Sequence, residues 1–253
     1  EPHVVQYKAP GVAAPSRSNY ASRTESLRFE MSNEKVYVWD IWIRSFHWLL
    51  VVLILSAWWT AREGGLLMKY HMFCGYGIGI LVFFRLFWGV WGSQSAKFSE
   101  FIRGPRIVVR AILDLKIRQP EHYLTHNPIG GWVVIAFLLL LVVQFATGLF
   151  ANDDLFNEGP LYANVTKLTS DWLTWVHHTN FNNLTALIII HVLAIFFYRV
   201  WKREHLVGAM LSGYKYLSDK NKSKIRHGFF LPFATLLLSI AIICVIVNFR
   251  FNL

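Results

Sequence analysis

Three histidines lie in one long apolar stretch, residues 172–198: His177, His178 and His191. Fourteen residues separate His177 from His191. At about 100° per residue this step closes to within roughly 40° of four turns, and it rises about 21 Å. The two imidazoles therefore share one helix face at two heights, whereas His178 is turned by about 100°. Because ionisable side chains inside an apolar segment are costly, these histidines mark a functional site.

Two more histidines, His47 and His71, lie near the starts of other apolar stretches. Neutral imidazole is a good axial ligand for haem iron, and two imidazoles make a six-coordinate electron-transfer centre. Zinc would require four ligands that converge on one point. One helix with two imidazoles at two heights therefore suggests half of the ligand set for two stacked haems.

Five apolar stretches, each near the 20 or so residues that cross a bilayer, carry these histidines. They lie at about 42–61, 69–91, 130–150, 173–198 and 229–249. The chain is 55% hydrophobic with a mean hydropathy of +0.38, which is too apolar for an ordinary soluble domain. We predict an all-α integral membrane protein, with a four-helix transmembrane bundle in residues 38–216 and a fifth transmembrane helix in 217–253. Aromatic residues at several segment ends fit interfacial belts.

The lysines and arginines predict the orientation. With a cytoplasmic N-terminus, twenty of them fall on the inner side and four on the outer side. This bias predicts the N-terminus inside and the C-terminus in the periplasm of a bacterial inner membrane. Anionic lipid at the inner surface accounts for the net charge of +10, so no nucleic-acid partner is expected.

This topology sorts the four histidines into two pairs by depth. His47 lies near the inner start of the first crossing, and His71 near the outer start of the second. His177 is near the outer end of the fourth crossing, and His191 lies deeper in the same helix. We therefore predict that His47 and His191 bind an inner haem, and that His71 and His177 bind an outer haem.

Other residues are candidates for binding or positioning the haems. Gly75 and Gly79, four residues apart, would let either a flat haem or a neighbouring helix approach closely. Arg85 lies fourteen residues from His71 and could pair with inner haem propionates, or extend to the headgroups instead. Weaker candidates for such contacts are Arg44, Lys202, Lys69 (outer haem) and His178.

The polar segments carry further expectations. Residues 1–37 form a polar cytoplasmic extension, largely disordered over 1–30, and Met31 opens a plausible native start. An amphipathic surface helix is expected after Gly104-Pro105. The acidic loop 151–171 is either simply solvated or a docking face for a basic electron-transfer partner. The remaining histidines are expected to be ordinary surface residues: His3, His122, His126, His205 and His227.

The chain resembles the bacterial cytochrome b-561 family, which includes the b-type cytochrome subunits of nickel–iron hydrogenases. The matching pieces are RSFHW, KYHMFCGYGIGILVFFRLFWG, HNPIGGW and VHHTNFNNLTALIIIHV, within residues 38–216. The resemblance implies a bundle around two b haems, with ligands His47, His191, His71 and His177. Residues 1–37 lie outside the match.

The resemblance also implies electron transfer between a periplasmic redox partner and membrane quinone. That partner would be a c-type cytochrome or a hydrogenase- or dehydrogenase-type subunit. Two alternatives are a self-contained superoxide- or quinone-reacting oxidoreductase and, with less support, a transporter. Buried carboxylates for a proton relay are missing from the first four segments, which disfavours the transporter.

Overall fold

The computed structural model describes residues 34–117, 125–217 and 231–248. Five of the helices in these residues are long and apolar enough to cross a membrane. They are α1 (Ile41–Glu63), α2 (Met68–Trp91), α5 (Pro128–Gly148), α6 (Lys167–Phe197) and α8 (Leu231–Asn248). Shorter elements lie between them: α3 (Phe98–Phe101), α4 (Pro105–Leu113) and α7 (Leu206–Ser212). The predicted membrane bundle and its helix order are confirmed.

Local sequence signals explain where several helices begin and end. Asp40 caps α1 by accepting a hydrogen bond from the Ile43 amide, and Asn127 caps α5 in front of Pro128. Thr166 caps α6, which begins at Lys167, six residues before the predicted start of the fourth crossing. A turn of π-helix, Tyr198–Lys202, continues α6 to Arg203, whose φ of 58° ends the helix. The fourth segment is therefore longer at both ends than its apolar core predicts.

Helix α2 is the centre of the bundle. It packs along α1 on one side and against α5 and α8 on others, while α6 packs mainly along α5. Of the five long helices, α2 is the most buried and α6 the least. Helix α6, which carries the candidate ligands His177 and His191, therefore leaves much of its surface uncovered by the rest of the chain.

A layer of apolar side chains separates the two histidine levels. Leu184, seven residues from both His177 and His191, is 1% exposed and packs with Val82 and Leu141. Residues of α1, among them Leu50, join the same cluster. The middle of the bundle is therefore closed by direct packing of α1, α2, α5 and α6, and the two histidine pairs lie above and below it.

A two-stranded sheet closes the end at which α1 begins. Strand β1 (Glu34–Tyr37) pairs antiparallel with β2 (Tyr214–Leu217), and Tyr37 lies opposite Tyr214. Gly213 adopts a φ of +87°, and its carbonyl accepts hydrogen bonds from the amides of Val38 and Trp39. The sequence did not predict these strands: each has only four residues, and the pairing joins parts of the chain that are far apart in sequence.

Several predictions on the connecting segments have clear outcomes. The amphipathic helix after Gly104-Pro105 is confirmed as α4, with exposed apolar side chains such as Val109 and Leu113. The last four residues of the predicted extension, 34–37, form β1. Expectations for residues 1–33, His122, His227 and the ends of 217–253 lie outside the described residues.

Candidate functional site

His71 of α2 and His177 of α6 face each other at the end of the bundle where α6 begins. Their ring centres are 6.1 Å apart and the ring planes are nearly perpendicular, at 82°. Both side chains are half-buried. Two imidazole nitrogens, each about 2 Å from one iron, would place the ring centres about 6 Å apart. The spacing of this pair therefore fits two histidines that bind the same haem iron.

Backbone carbonyls hold the other nitrogen of each ring. His71 Nδ1 lies 2.9 Å from the Ala57 carbonyl of α1 and donates to it in the tautomer with hydrogen on Nδ1. His177 Nδ1 lies 3.0 Å from the Gln144 carbonyl and 3.2 Å from Thr147 Oγ1, both on α5. Such contacts orient a ligating imidazole and leave Nε2 unprotonated, as metal binding requires.

One contact must be exchanged if iron binds His177 at Nε2. The Gln144 side-chain amide nitrogen lies 3.0 Å from this Nε2, and the Gln144 amide oxygen accepts from Asn180 Nδ2 at 2.7 Å. Asn180 also donates to the Leu140 carbonyl. Sequence reasoning missed this network. The signals available were neutral amides inside apolar segments: Asn180, three residues after His177, and Gln144 in the third segment.

The two glycines of α2 differ in their surroundings. A Cβ built on Gly75, one turn after His71, would meet no atom within 4 Å. A Cβ on Gly79 would lie 2.5 Å from the Phe145 ring of α5. Gly75 therefore leaves open space beside His71, which fits a flat macrocycle, whereas Gly79 allows two helices to pack.

In the described residues, the inner pair has fewer hydrogen bonds to protein groups than the outer pair. His47 of α1 and His191 of α6 are half-buried and near enough to interact electrostatically. His47 packs edge-on against Trp48 and His191 against Phe137, and His47 Nδ1 is buried with no hydrogen-bond partner among the described residues. An unpartnered imidazole nitrogen beside a second imidazole fits residues that bind a cofactor, since buried polar atoms are otherwise paired.

Arg85 lies at this inner end, as its spacing from His71 predicts, but it is 3% exposed and sits among protein groups. Its guanidinium carbon lies 4.8 Å from the centre of the Phe98 ring, and Asp40 is an electrostatic neighbour. Atom Nη1 has no hydrogen-bond partner in the described part of the chain. Extension to the headgroups is therefore wrong for Arg85, while the propionate role stays a prediction.

His126 was expected at the surface, and this is wrong. Its ring packs between Trp39 and Phe101, at centre distances of 4.7 and 4.6 Å. Burial lowers the pKa of His126 to about 3, and the nearby positive charges of Arg85 and Lys215 act in the same direction. The imidazole is therefore neutral at physiological pH. His205, in contrast, is exposed as expected.

The weaker basic candidates already have protein partners. Arg44 donates to the Leu211 carbonyl at 2.6 Å. Lys202 is 7% exposed and donates to the carbonyls of Asp114 and Ile117. Lys69 lies 5.3 Å from the Tyr70 ring centre. Arg44 and Lys202 therefore stabilise the inner loops in this structure, and their contact with a haem remains untested.

His178 is exposed, and its ring centre lies 6.2 Å from that of His177 at a steep angle. It is the neighbour of the paired ring and does not share its contacts with α5. This placement favours His177 as the partner of His71, in agreement with the helical spacing.

Comparison with known proteins places the chain. A family model described as prokaryotic cytochrome b561 matches residues 38–213. The chain is 23% identical over 231 residues to the probable Ni/Fe-hydrogenase B-type cytochrome subunit of Rhodobacter capsulatus, covering 77% of this chain and 86% of that protein. The subunit of the same name from Cupriavidus necator is 24% identical over 227 residues, covering 74% and 90%. No solved structure matches the chain significantly.

Proposed function

This chain belongs to the prokaryotic cytochrome b561 family, and we propose that it is a dihaem b-type cytochrome that carries electrons across or within the inner membrane. The electrons would pass between a periplasmic redox partner and the quinone pool of the membrane. The observation that carries the proposal is the facing pair His71 and His177, at 6.1 Å, with the second nitrogen of each ring directed at a backbone carbonyl.

The proposal assigns ligand roles to four histidines. His71 and His177 would hold the outer haem, and His47 and His191 the inner one. Bound haem b supplies a one-electron couple between ferric and ferrous iron. Two histidines holding each haem iron would leave no open iron position for small molecules, which supports electron transfer over a superoxide-reacting oxidoreductase.

The bundle supports passage between the two membrane sides. The two histidine levels on α6 are about 21 Å apart, most of the roughly 30 Å hydrocarbon thickness. Leu184, Val82 and Leu141 pack together between the levels. We place the N-terminus in the cytoplasm and the C-terminus in the periplasm, on the basis of the lysine and arginine distribution.

The relatives suggest the partner. Two proteins similar to this chain are described as probable Ni/Fe-hydrogenase B-type cytochrome subunits. We therefore propose a Ni/Fe-hydrogenase as the periplasmic donor, ahead of a c-type cytochrome or another dehydrogenase-type subunit, with quinone as the acceptor.

Haem quantification tests the cofactor proposal directly. The purified chain should show a b-type reduced-minus-oxidised spectrum, and pyridine haemochrome measurement should give two haems per chain. A preparation that folds without haem would overturn the electron-transfer function, and one haem per chain would overturn the two-site assignment. Reduction by H₂ in the presence of the source organism's purified hydrogenase tests the donor.

A further inference from the structure

The first ten residues of α6 extend beyond the membrane core. Helix α5 has 21 residues, about 31 Å, which matches the hydrocarbon thickness. It ends at Gly148, where an added Cβ would lie 3.0 Å from the His177 ring, so Gly148 and His177 are at the same height. Residues 167–176 of α6 therefore rise about 15 Å past this boundary, farther than a headgroup layer of about 6 Å.

The loop between α5 and α6 is fastened to this projecting part of α6. The Asn152 amide donates to Thr174 Oγ1 at 3.0 Å, and Asn152 Nδ2 donates to Ser170 Oγ at 2.6 Å. Ser170 Oγ in turn donates to the Phe150 carbonyl. Thr174 is three residues from His177, so the loop is held in a defined position directly above the outer histidine pair.

Asp153 shapes the tip of the loop. Its Oδ1 accepts hydrogen bonds from the amides of Leu155, Phe156 and Asn157, at 2.9, 3.0 and 2.9 Å. The Asn157 side-chain amide also donates to Asp153 Oδ2. This bond above all, together with the three backbone bonds, lowers the pKa of Asp153 to about 2. The carboxylate is therefore ionised at physiological pH, and it holds the tip in one conformation.

The tip presents two large apolar side chains to the outside. Leu155 is 77% exposed and Phe156 is 94% exposed. Nearby carboxylates belong to Asp154, Glu158 and Asp171, and the Lys167 ammonium bridges Asp154 and Asp171. An ordered tip that exposes a phenylalanine outside the hydrocarbon region is unusual unless another molecule covers it.

We propose that Leu155 and Phe156 are the anchor by which a redox protein docks over the outer histidine pair, through an apolar pocket rimmed by lysine and arginine. The net negative charge of the loop favours a protein partner over a lipid surface, because it attracts a basic rim and repels anionic lipid. A buried aromatic anchor within a charged rim is the usual arrangement of a binding hot spot. The inference rests on the proposed function, because it names where the electron donor binds.

The test uses the full haem-loaded chain in nanodiscs with purified Ni/Fe-hydrogenase of the source organism. Association is measured by surface plasmon resonance, and haem reduction is followed under H₂ and, separately, with dithionite. The variant L155S/F156S should weaken association by about tenfold or more. The matched control Leu113→Ser removes a 68% exposed apolar side chain from α4 at the other end of the molecule and should change nothing. Glu158→Gln should reduce the salt dependence of association.

The outcomes are separable. Haem reducible by dithionite but no association of the unaltered chain with hydrogenase overturns the proposed donor and this docking site together. Association that is equally strong in L155S/F156S overturns the docking site and leaves the function intact. Phe156→Trp adds an independent arm: quenching of its added fluorescence by brominated lipid would show that the tip enters the membrane, which also overturns the proposal.

Discussion

The two ends of the bundle hold their candidate ligands in different ways. At the outer end, the rings of His71 and His177 already face each other, and the Nδ1 atom of each ring lies within hydrogen-bond distance of a helix carbonyl. At the inner end, His47 and His191 are neighbours, but one His47 nitrogen has no partner in the described residues. Protein contacts therefore orient both rings of the outer pair, although the Gln144 contact at His177 Nε2 must be exchanged for iron, whereas the described residues give the inner pair fewer such contacts.

At the inner end, the polar contacts mainly join helices to one another. Asp40 caps α1 and accepts hydrogen bonds from Trp88 Nε1 and Ser93 Oγ, while the buried Arg85 and the half-buried His126 lie close by. Val36 of β1 packs against the adjacent apolar cluster that includes Trp39 and Trp88. A buried carboxylate with three donors joins the start of α1 to the end of α2. The inner end therefore combines its candidate ligands with the contacts that anchor α1 to α2, whereas the polar contacts of the outer end orient the candidate ligands themselves.

Removal of an outer ligand should have the largest effect. We expect His71→Ala or His177→Ala to lose the outer haem and retain the inner one, so that pyridine haemochrome measurement falls from two haems per chain to one. His191→Ala should remove the inner haem instead. His178→Ala is the matched control, because its exposed ring lacks the contacts of His177. Loss of a haem in His178→Ala would reverse the choice between the two adjacent histidines.

The two glycines of α2 distinguish haem space from helix packing. Gly79→Val should destabilise the fold by about 1–3 kcal/mol, because the new side chain collides with Phe145. Gly75→Val carries the same intrinsic cost to the helix, but its Cβ meets no atom within 4 Å, so it should spare the apoprotein and reduce haem content. Thermal unfolding of the apo and haem-loaded forms measures both effects. Equal destabilisation of the two apoproteins would remove the argument for open space at Gly75.

The buried His126 should make the inner end sensitive to acid. Its folded-state pKa of about 3 lies below the ordinary value of 6.5, so the unfolded chain binds the proton more tightly. The stability contribution is complete above pH 6.5 and is lost as the pH falls toward 3, by at most about 1.4 kcal/mol per pH unit. Unfolding measured from pH 7 to pH 5 should show a smaller slope in His126→Gln.

The exposed His205 provides the control for this measurement. His205→Gln should retain the slope of the unaltered chain, since it changes an exposed side chain and leaves the contacts of His126 with Trp39 and Phe101 in place. An unchanged slope in His126→Gln would show that His126 is solvated rather than buried.

The smallest effect is expected at the second contact of His177. Thr147→Val removes the hydroxyl 3.2 Å from Nδ1 but keeps the Gln144 carbonyl. Because a lost acceptor makes the imidazole a weaker donor to iron, the potential of the outer haem should rise, by less than about 59 mV, which is tenfold for one electron. Redox titration of both haems measures it, with the inner haem as internal reference.

Local features of the molecule could be predicted from the sequence more completely than contacts between distant residues. Helix existence, order and number came from apolar length alone, and the ends missed by up to six residues, as at Lys167, because caps act outside the apolar core. The choice of His177 over His178 came from helical period and agrees with the facing rings. His126 was misplaced because its polar neighbours in sequence are not its neighbours in space.

By itself, the sequence determined that five apolar segments cross a membrane and that two imidazoles of α6 share a face, since both follow from local composition and helical geometry. Only the tertiary structure decided that Gly75 borders open space while Gly79 packs on Phe145, that Gln144 and Thr147 hold His177, and that β1 pairs with β2. Those facts depend on contacts between residues far apart in the chain, and the pattern of one segment carries no information about which partner will lie against it.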